Sequence, residues 1–232
     1  MLASSNFQYK YFGFAILISA SIATFFSYSN NLFWYTIFKP LTTILIIALS
    51  IFIHKKRKTR YTLYNSIALI FALIGDILLI GEQYFVFGLA AFLLAHIFFT
   101  IAFSSQKKFF NHLLILLALL TIGGIYYYFL LPNLGDYQIP VFVYLSTILI
   151  MNWQALSLSR IKEYQNIQLL GLGALLFSFS DGVIAYTKFV EPLNYSSLLI
   201  LPTYWAAIFI FTLMGNYING KPLAKATIIL PY

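Results

Sequence analysis

Asp76 interrupts "ALIGDILLI" and Asp181 interrupts "LLFSFSDGVIAYTKF", each a carboxylic acid inside a run of side chains that prefer oil. A charge at the centre of a membrane helix is unfavourable by at least ~2.5 kcal/mol on insertion scales, so an ionisable residue there is a functional hypothesis by default. Two neighbouring carboxyl groups in a poorly solvated site can present one proton donor and one anion near neutral pH. That is acid–base equipment. It suits reactions that pass through an oxocarbenium-like cation, where one group protonates the substrate and the other stabilises positive charge or activates water.

Other polar residues stand in similar surroundings. Lys39 lies in "YTIFKPLTTILI", His96 in "AAFLLAHIFFT", Asn152 in "LIMNWQAL" and Tyr204 in "LPTYWAAIFIF". Lys39 could keep one aspartate ionised, or pair with it as a buried structural bridge. His96 is a participant or a hydrogen-bonded packing residue, Asn152 is a supporting amide, and Tyr204 is a site residue or core. Pro40 and Pro202 each free a backbone carbonyl and can kink a helix, and in lipid such carbonyls must be satisfied by protein or water. Gly75 and Gly182, beside the two aspartates, offer close helix approach.

The elements that must position these residues follow from composition. Of 232 residues, 61% are hydrophobic and 9% charged, against about 25% charged in a typical soluble domain. Windows of about 20 apolar residues, each long enough to cross a ~30 Å hydrocarbon core, recur along the chain. They predict an all-α, eight-helix membrane bundle, a single membrane domain over residues 1–232, with spans near 11–28, 33–53, 62–80, 84–104, 112–131, 139–157, 167–187 and 196–216. The first window lacks a sizeable basic flank and a small-residue cleavage site, and reads as a retained helix. With no cysteine, neither disulfides nor thiolate ligands are available.

The net charge of +8 is sorted along the chain. Lys10, the run Lys55, Lys56, Arg57, Lys58 and Arg60, then Lys107, Lys108, Arg160, Lys162, Lys221 and Lys225 fall on one side of the expected bundle, and Lys188 falls on the other. By the positive-inside rule both termini are expected to be cytoplasmic. The "HKKRKTR" run then reads as an anchor on anionic head groups, with membrane lipid rather than nucleic acid as its partner. The expected location is a bacterial inner (cytoplasmic) membrane. Asp76 and Asp181 then lie about five residues before the outer ends of spans three and seven, roughly 7–8 Å deep. Lys39 shares that level, Tyr204 lies a little deeper, and His96 and Asn152 approach the midplane. The pattern is a pocket toward the outer face, closed below.

There is no Walker A loop, no G-x-S-x-G elbow and no H-E-x-x-H. A metal held by Asp76, Asp181 and His96 is conceivable, but Lys39 would compete with it, and no metal is expected. Spans three and seven hold equivalent places in two four-helix halves, a weak hint of duplication. A proton- or cation-coupled secondary transporter of a small amphiphile is the competing class, and a ligand-binding scaffold a third.

The segments "FKPLTTILIIAL", "ALIGDILLI", "VFGLAAFLLAHIFFTIAF" and "LGALLFSFSDGVIAYTKF" together resemble the YhhN-like membrane proteins, the lysoplasmalogenase family, from about residue 33 to 215. The shared motifs are Lys-Pro in span two, Gly-Asp in span three, Gly-x-x-Ala-Phe-x-x-x-His in span four and Ser-Asp in span seven. The resemblance implies an eight-helix hydrolase that cleaves the vinyl ether of lysoplasmalogens, a lysophospholipid substrate class, without metal or redox cofactor. It carries over Asp76 and Asp181 as the catalytic acids, with Lys39 and His96 as matching motif positions. The family commonly shows Tyr-Tyr-x-Ala-Gln in the last span, where this chain has Tyr204, Trp205, Ala206, Ala207 and Ile208. The amide is absent. The sequence specifies no oligomeric state.

Overall fold

The structure, a computed structural model, describes residues 2–105, 112–161 and 164–218, with side chains from residue 8 onward. Lys107, Lys108, Lys162, Lys221 and Lys225, assigned above to the basic side, lie outside the described residues. Among the described residues eight α-helices form: α1 (Leu2–Tyr28), α2 (Leu32–Arg57), α3 (Arg60–Leu78), α4 (Phe85–Ser104), α5 (Leu113–Leu130), α6 (Gln138–Leu158), α7 (Gln168–Phe189) and α8 (Ser196–Met214). All eight are long and apolar enough to cross a membrane, and no strand forms among the described residues. In lipid this is forced, because only a helix satisfies its own backbone polar groups within one segment.

Local chemistry sets the turns. Basic residues crowd the last turn of α2, where the negative end of the helix dipole favours them. The helix then stops at Lys58, which adopts the left-handed conformation at φ 48° while its N–H bonds the His54 carbonyl at 2.7 Å. One residue later Thr59 opens α3 with a capping box. Its hydroxyl accepts from the Thr62 N–H, and the Thr62 hydroxyl accepts from the Thr59 N–H. The "HKKRKTR" run is therefore a tight α2–α3 hairpin turn.

Six helices make the ring that matters for function. α3 packs on α4, α4 on α6, α6 on α7, α7 on α8, and α8 closes onto α2 and α3. α5 lies outside against α6, while α1 lies outside against α2 and α8. Large aromatics fill the middle of the ring, including Phe99, Phe103, Phe177 and Phe211. The Tyr61 hydroxyl donates to the Phe211 carbonyl at 2.7 Å, tying α3 to α8 beneath this layer. One helical turn farther along α3, Asn65 donates to Ser50 (3.0 Å) and Thr212 (3.3 Å), joining α3 to α2 and α8.

Two glycines let α3 and α4 come close. A Cβ on Gly75 would lie 2.6 Å from the ring of Phe92, and one on Gly88 would lie 2.6 Å from Leu79 Cδ2. Gly182 behaves differently from the sequence expectation. A Cβ there would meet only the Tyr126 hydroxyl at 4.0 Å, and the residue serves instead through its carbonyl, which accepts from that hydroxyl at 2.6 Å.

Overpacking of this kind is unfavourable by about 1–3 kcal/mol. Gly75→Val is expected to lower the thermal unfolding midpoint of the detergent-solubilised protein by several degrees, whereas Gly124→Val, where nothing lies within 4 Å of the new Cβ, leaves it within about a degree. Differential scanning fluorimetry of the two variants measures the difference.

Candidate active site

The polar groups inside the ring form two clusters, one around each aspartate. Asp76 lies two residues before the end of α3 and is 1% exposed. Its Oδ2 accepts from the Thr43 hydroxyl of α2 at 2.6 Å and from the Tyr204 hydroxyl of α8 at 2.9 Å. The Thr43 oxygen accepts in turn from the Trp205 indole N–H at 3.2 Å, so its proton is directed at the carboxylate. Lys39, one helical turn before Thr43, points into the same region. Among the described residues no carboxylate comes within ion-pair distance of its Nζ, which lies 5.6 Å from the centre of the Tyr35 ring. The buried Lys–Asp bridge considered from sequence does not form.

The second cluster belongs to α4, α6 and α7. Asp181 Oδ2 accepts from the Tyr144 hydroxyl at 2.6 Å and lies 3.4 Å from His96 Nε2. The His96 approach is within reach of an ion pair but lacks the alignment of a hydrogen bond, so both ring nitrogens are without hydrogen-bond partners although the side chain is 0% exposed. A buried polar atom without a partner is unfavourable by about 1–3 kcal/mol and calls for a water or a ligand. The Asp181 side chain is 10% exposed, the more accessible of the two acids.

Aromatic rings join the clusters. The Tyr204 ring meets Phe92 edge-on at 5.7 Å and Phe177 at 5.4 Å, and Phe177 also meets His96 at 4.7 Å, which in turn meets Tyr144 at 5.2 Å. The two carboxyl groups do not bond each other. Tyr204 bonds Asp76, and its ring reaches the second cluster only through Phe177. Among the described residues, no three His, Cys, Asp or Glu side chains gather as a metal would need.

Of the residues singled out by sequence, Lys39, Asp76 and Tyr204 fall in the first cluster, and His96 and Asp181 in the second. Asn152 falls in neither: its amide donates to the Ile148 carbonyl at 2.8 Å and to Ser178 Oγ at 2.5 Å, joining α6 to α7 one turn from Asp181. Thr43, Tyr144 and Trp205 were not singled out as donors. Thr43 could have been found from its place one turn after Lys39, on the same helix face, but Tyr144 stands among 18 tyrosines with no local signal. Ile208, at the position where the resembling family has an amide, is fully buried in the core.

The profile of the YhhN family matches residues 34–214, a stretch that contains both clusters and begins after α1. Curated relatives include lysoplasmalogenase TMEM86A of Bos taurus, 36% identical over 61% of this chain and 60% of the relative. Lysoplasmalogenase TMEM86B of Homo sapiens is 32% identical over 66% and 63%, and TMEM86B of Rattus norvegicus 37% identical over 66% and 61%. The matched region therefore spans about three-fifths of the length of these relatives. No solved structure matches the chain.

Thr43→Val keeps the side-chain shape but strips Asp76 of its shortest hydrogen bond and Trp205 of its acceptor. The loss is expected to lower stability by about 1–3 kcal/mol, while Thr43→Ser retains most of it. Thermal midpoints of the two variants in the same detergent check the ordering.

Proposed function

Because the chain belongs to the YhhN family, we propose that it is a lysoplasmalogenase: a membrane hydrolase that cleaves the vinyl ether of an alkenyl-glycerophosphocholine or alkenyl-glycerophosphoethanolamine to a fatty aldehyde and the glycerophospho-alcohol. The observation that carries the reading is a pair of buried carboxyl groups, each with its own tyrosine donor, facing one aromatic-lined interior. The named activity of the relatives at 32–37% identity supports it.

A vinyl ether hydrolyses by protonation of its β-carbon. The resulting oxocarbenium ion adds water at the carbon bearing oxygen, and the hemiacetal collapses to aldehyde and alcohol. The first step needs a proton donor, and the cation needs a nearby negative charge. Asp181 is placed to exchange the proton, being the more exposed acid and facing a histidine with unpaired ring nitrogens where water can be held. Asp76 is equipped to hold negative charge, with two hydroxyl donors on one oxygen. Tyr204 holds the Asp76 carboxylate from α8, and its ring borders Phe177, which meets His96 beside Asp181.

Both termini are proposed to lie on the cytoplasmic side, with the aspartates nearer the outer face. The basic α2–α3 turn at the opposite end of the ring supports this. The transporter reading requires passage through the bundle. Against it stand Phe99, Phe103, Phe177 and Phe211, all buried and packed on one another inside the ring.

Purified protein in detergent is expected to release aldehyde from a lysoplasmalogen. Asp76→Asn and Asp181→Asn, which keep shape but neither donate the proton nor carry the charge, should each lower kcat by about 100-fold or more. Turnover undiminished in both variants refutes the two-aspartate mechanism. Pre-treatment with a chelator is expected to leave the wild-type rate unchanged.

A further inference from the structure

Lys39 is the charged residue that the two acid clusters leave over. It is 6% exposed, yet among the described residues its side chain makes neither an ion pair nor a hydrogen bond. Its Nζ lies 5.6 Å from the centre of the Tyr35 ring. Such a ring attracts a cation weakly, whereas a charge withdrawn from water needs a partner of opposite charge that also accepts its hydrogen bonds. Asp76 does not fill that place, because its Oδ2 is already supplied by Thr43 and Tyr204. Nor is the ammonium sealed in as the His96 nitrogens are, so a ligand can reach it. Lys188, the other basic side chain toward this end of the bundle, is exposed and lies over the Phe85 ring at 5.0 Å, with no such want.

The place of Lys39 along α2 says what the missing partner is. Tyr35, Lys39 and Thr43 follow one another at four-residue spacing and share a helix face, and Thr43, the last of the row, bonds the Asp76 carboxylate. Because α2 ends at Arg57 in the basic turn, Lys39 stands one helical turn, about 6 Å, farther from that turn than the donor of the acid does. In a lysolipid, the vinyl carbon that takes the proton and the phosphorus are separated by the glycerol backbone, about 8 Å when extended. An alkenyl group beside Asp76 therefore brings its own phosphodiester to the level of Lys39. A phosphodiester is an anion with two acceptor oxygens, which an ammonium binds as a point charge. Lys39 is buried against the first cluster, so a bilayer phospholipid that stays outside the ring does not meet it.

We propose that Lys39 binds the phosphodiester of the substrate head group and so holds the lysolipid with its vinyl ether beside the aspartates. The proposal rests on the lysoplasmalogenase reading and adds the contact that selects a phosphorylated alkenyl lipid over an uncharged one. Lys39 is then a binding residue that takes no part in proton transfer. The substrate phosphate fills the place of the carboxylate bridge that the fold withholds from it.

Two measurements on the full chain in detergent test it. In the first, kcat/KM is compared for an alkenyl-glycerophosphocholine and for the alkenylglycerol of the same chain, which lacks the phosphate. The ratio of the two is expected to fall about 30-fold in Lys39→Met, through the KM of the phosphorylated substrate, and to return to within about threefold of wild type in Lys39→Arg. Damage to the fold or to the acids lowers both substrates together, so a ratio within about twofold of wild type in Lys39→Met overturns the proposal. The second uses wild type alone: reductive methylation with formaldehyde and cyanoborohydride, read by mass spectrometry of the peptide that holds Lys39. A non-hydrolysable alkyl-glycerophosphocholine is expected to slow methylation of Lys39 about tenfold, and the alkylglycerol of the same chain by less than about twofold. Equal protection by the two lipids overturns the proposal, and protection by inorganic phosphate alone assigns the lysine to free phosphate and overturns the head-group contact. Protection by the phosphorylated analogue without aldehyde release from either alkenyl lipid upholds the contact and removes the hydrolase reading. Aldehyde release with equal protection does the reverse.

Discussion

A carboxyl group at membrane depth has no water to satisfy it, so the protein must bring donors from other helices, and the need fixes where those helices stand. Asp76 on α3 draws Thr43 from α2 and Tyr204 from α8 onto one oxygen, and Trp205 supports Thr43 from behind. Three helices are pinned about a single atom. Asp181 on α7 does the same with Tyr144 from α6, while His96 of α4 stands close by. Between them the two acids engage every helix of the ring. Such networks are worth more together than bond by bond, because in a low dielectric each donor polarises the next.

Below the acids the interior changes character. Phe99 and Phe103 from α4 pack with Phe211 from α8 at ring separations of 5.0 Å, and Phe177 of α7 sits above them against both clusters. Hydroxyl and amide groups return toward the α2–α3 turn, where the Asn65 amide donates to Ser50 and Thr212. Among the described residues, the carboxyl groups inside the ring are thus confined to one end of it. That confinement suits a reaction whose head group remains near water while its chain stays in lipid.

The helical architecture was legible because a ~20-residue apolar window has one physical outcome in a membrane. The residues that stood out, Asp76, Asp181, Lys39, His96 and Tyr204, did so because each is polar where its neighbours are not, and the fold gathers these five about one interior. What escaped was partnership. Thr43, Tyr144 and Trp205 carry groups common throughout membrane helices, and only the tertiary arrangement shows which of them meets a carboxylate. Lys39 illustrates the limit: its type and depth suggested a bridge, but the aspartate's nearest donors are neutral. Likewise Gly75 and Gly182 look alike in sequence, and only Gly75 meets a neighbouring ring closely. The order of helices around the ring, and the exclusion of α1 and α5 from it, depend on packing that no single helix encodes.

Phe92 sits with its ring on the bare backbone of Gly75 while its other sides touch Tyr204 and Phe177. A ring clamped on main chain has nowhere to swing. Tyr204, Phe177 and the imidazole of His96 follow in edge contact, so the two acid clusters share one packed wall of rings. A change of shape beside one aspartate has to be accommodated by rings that also border the other.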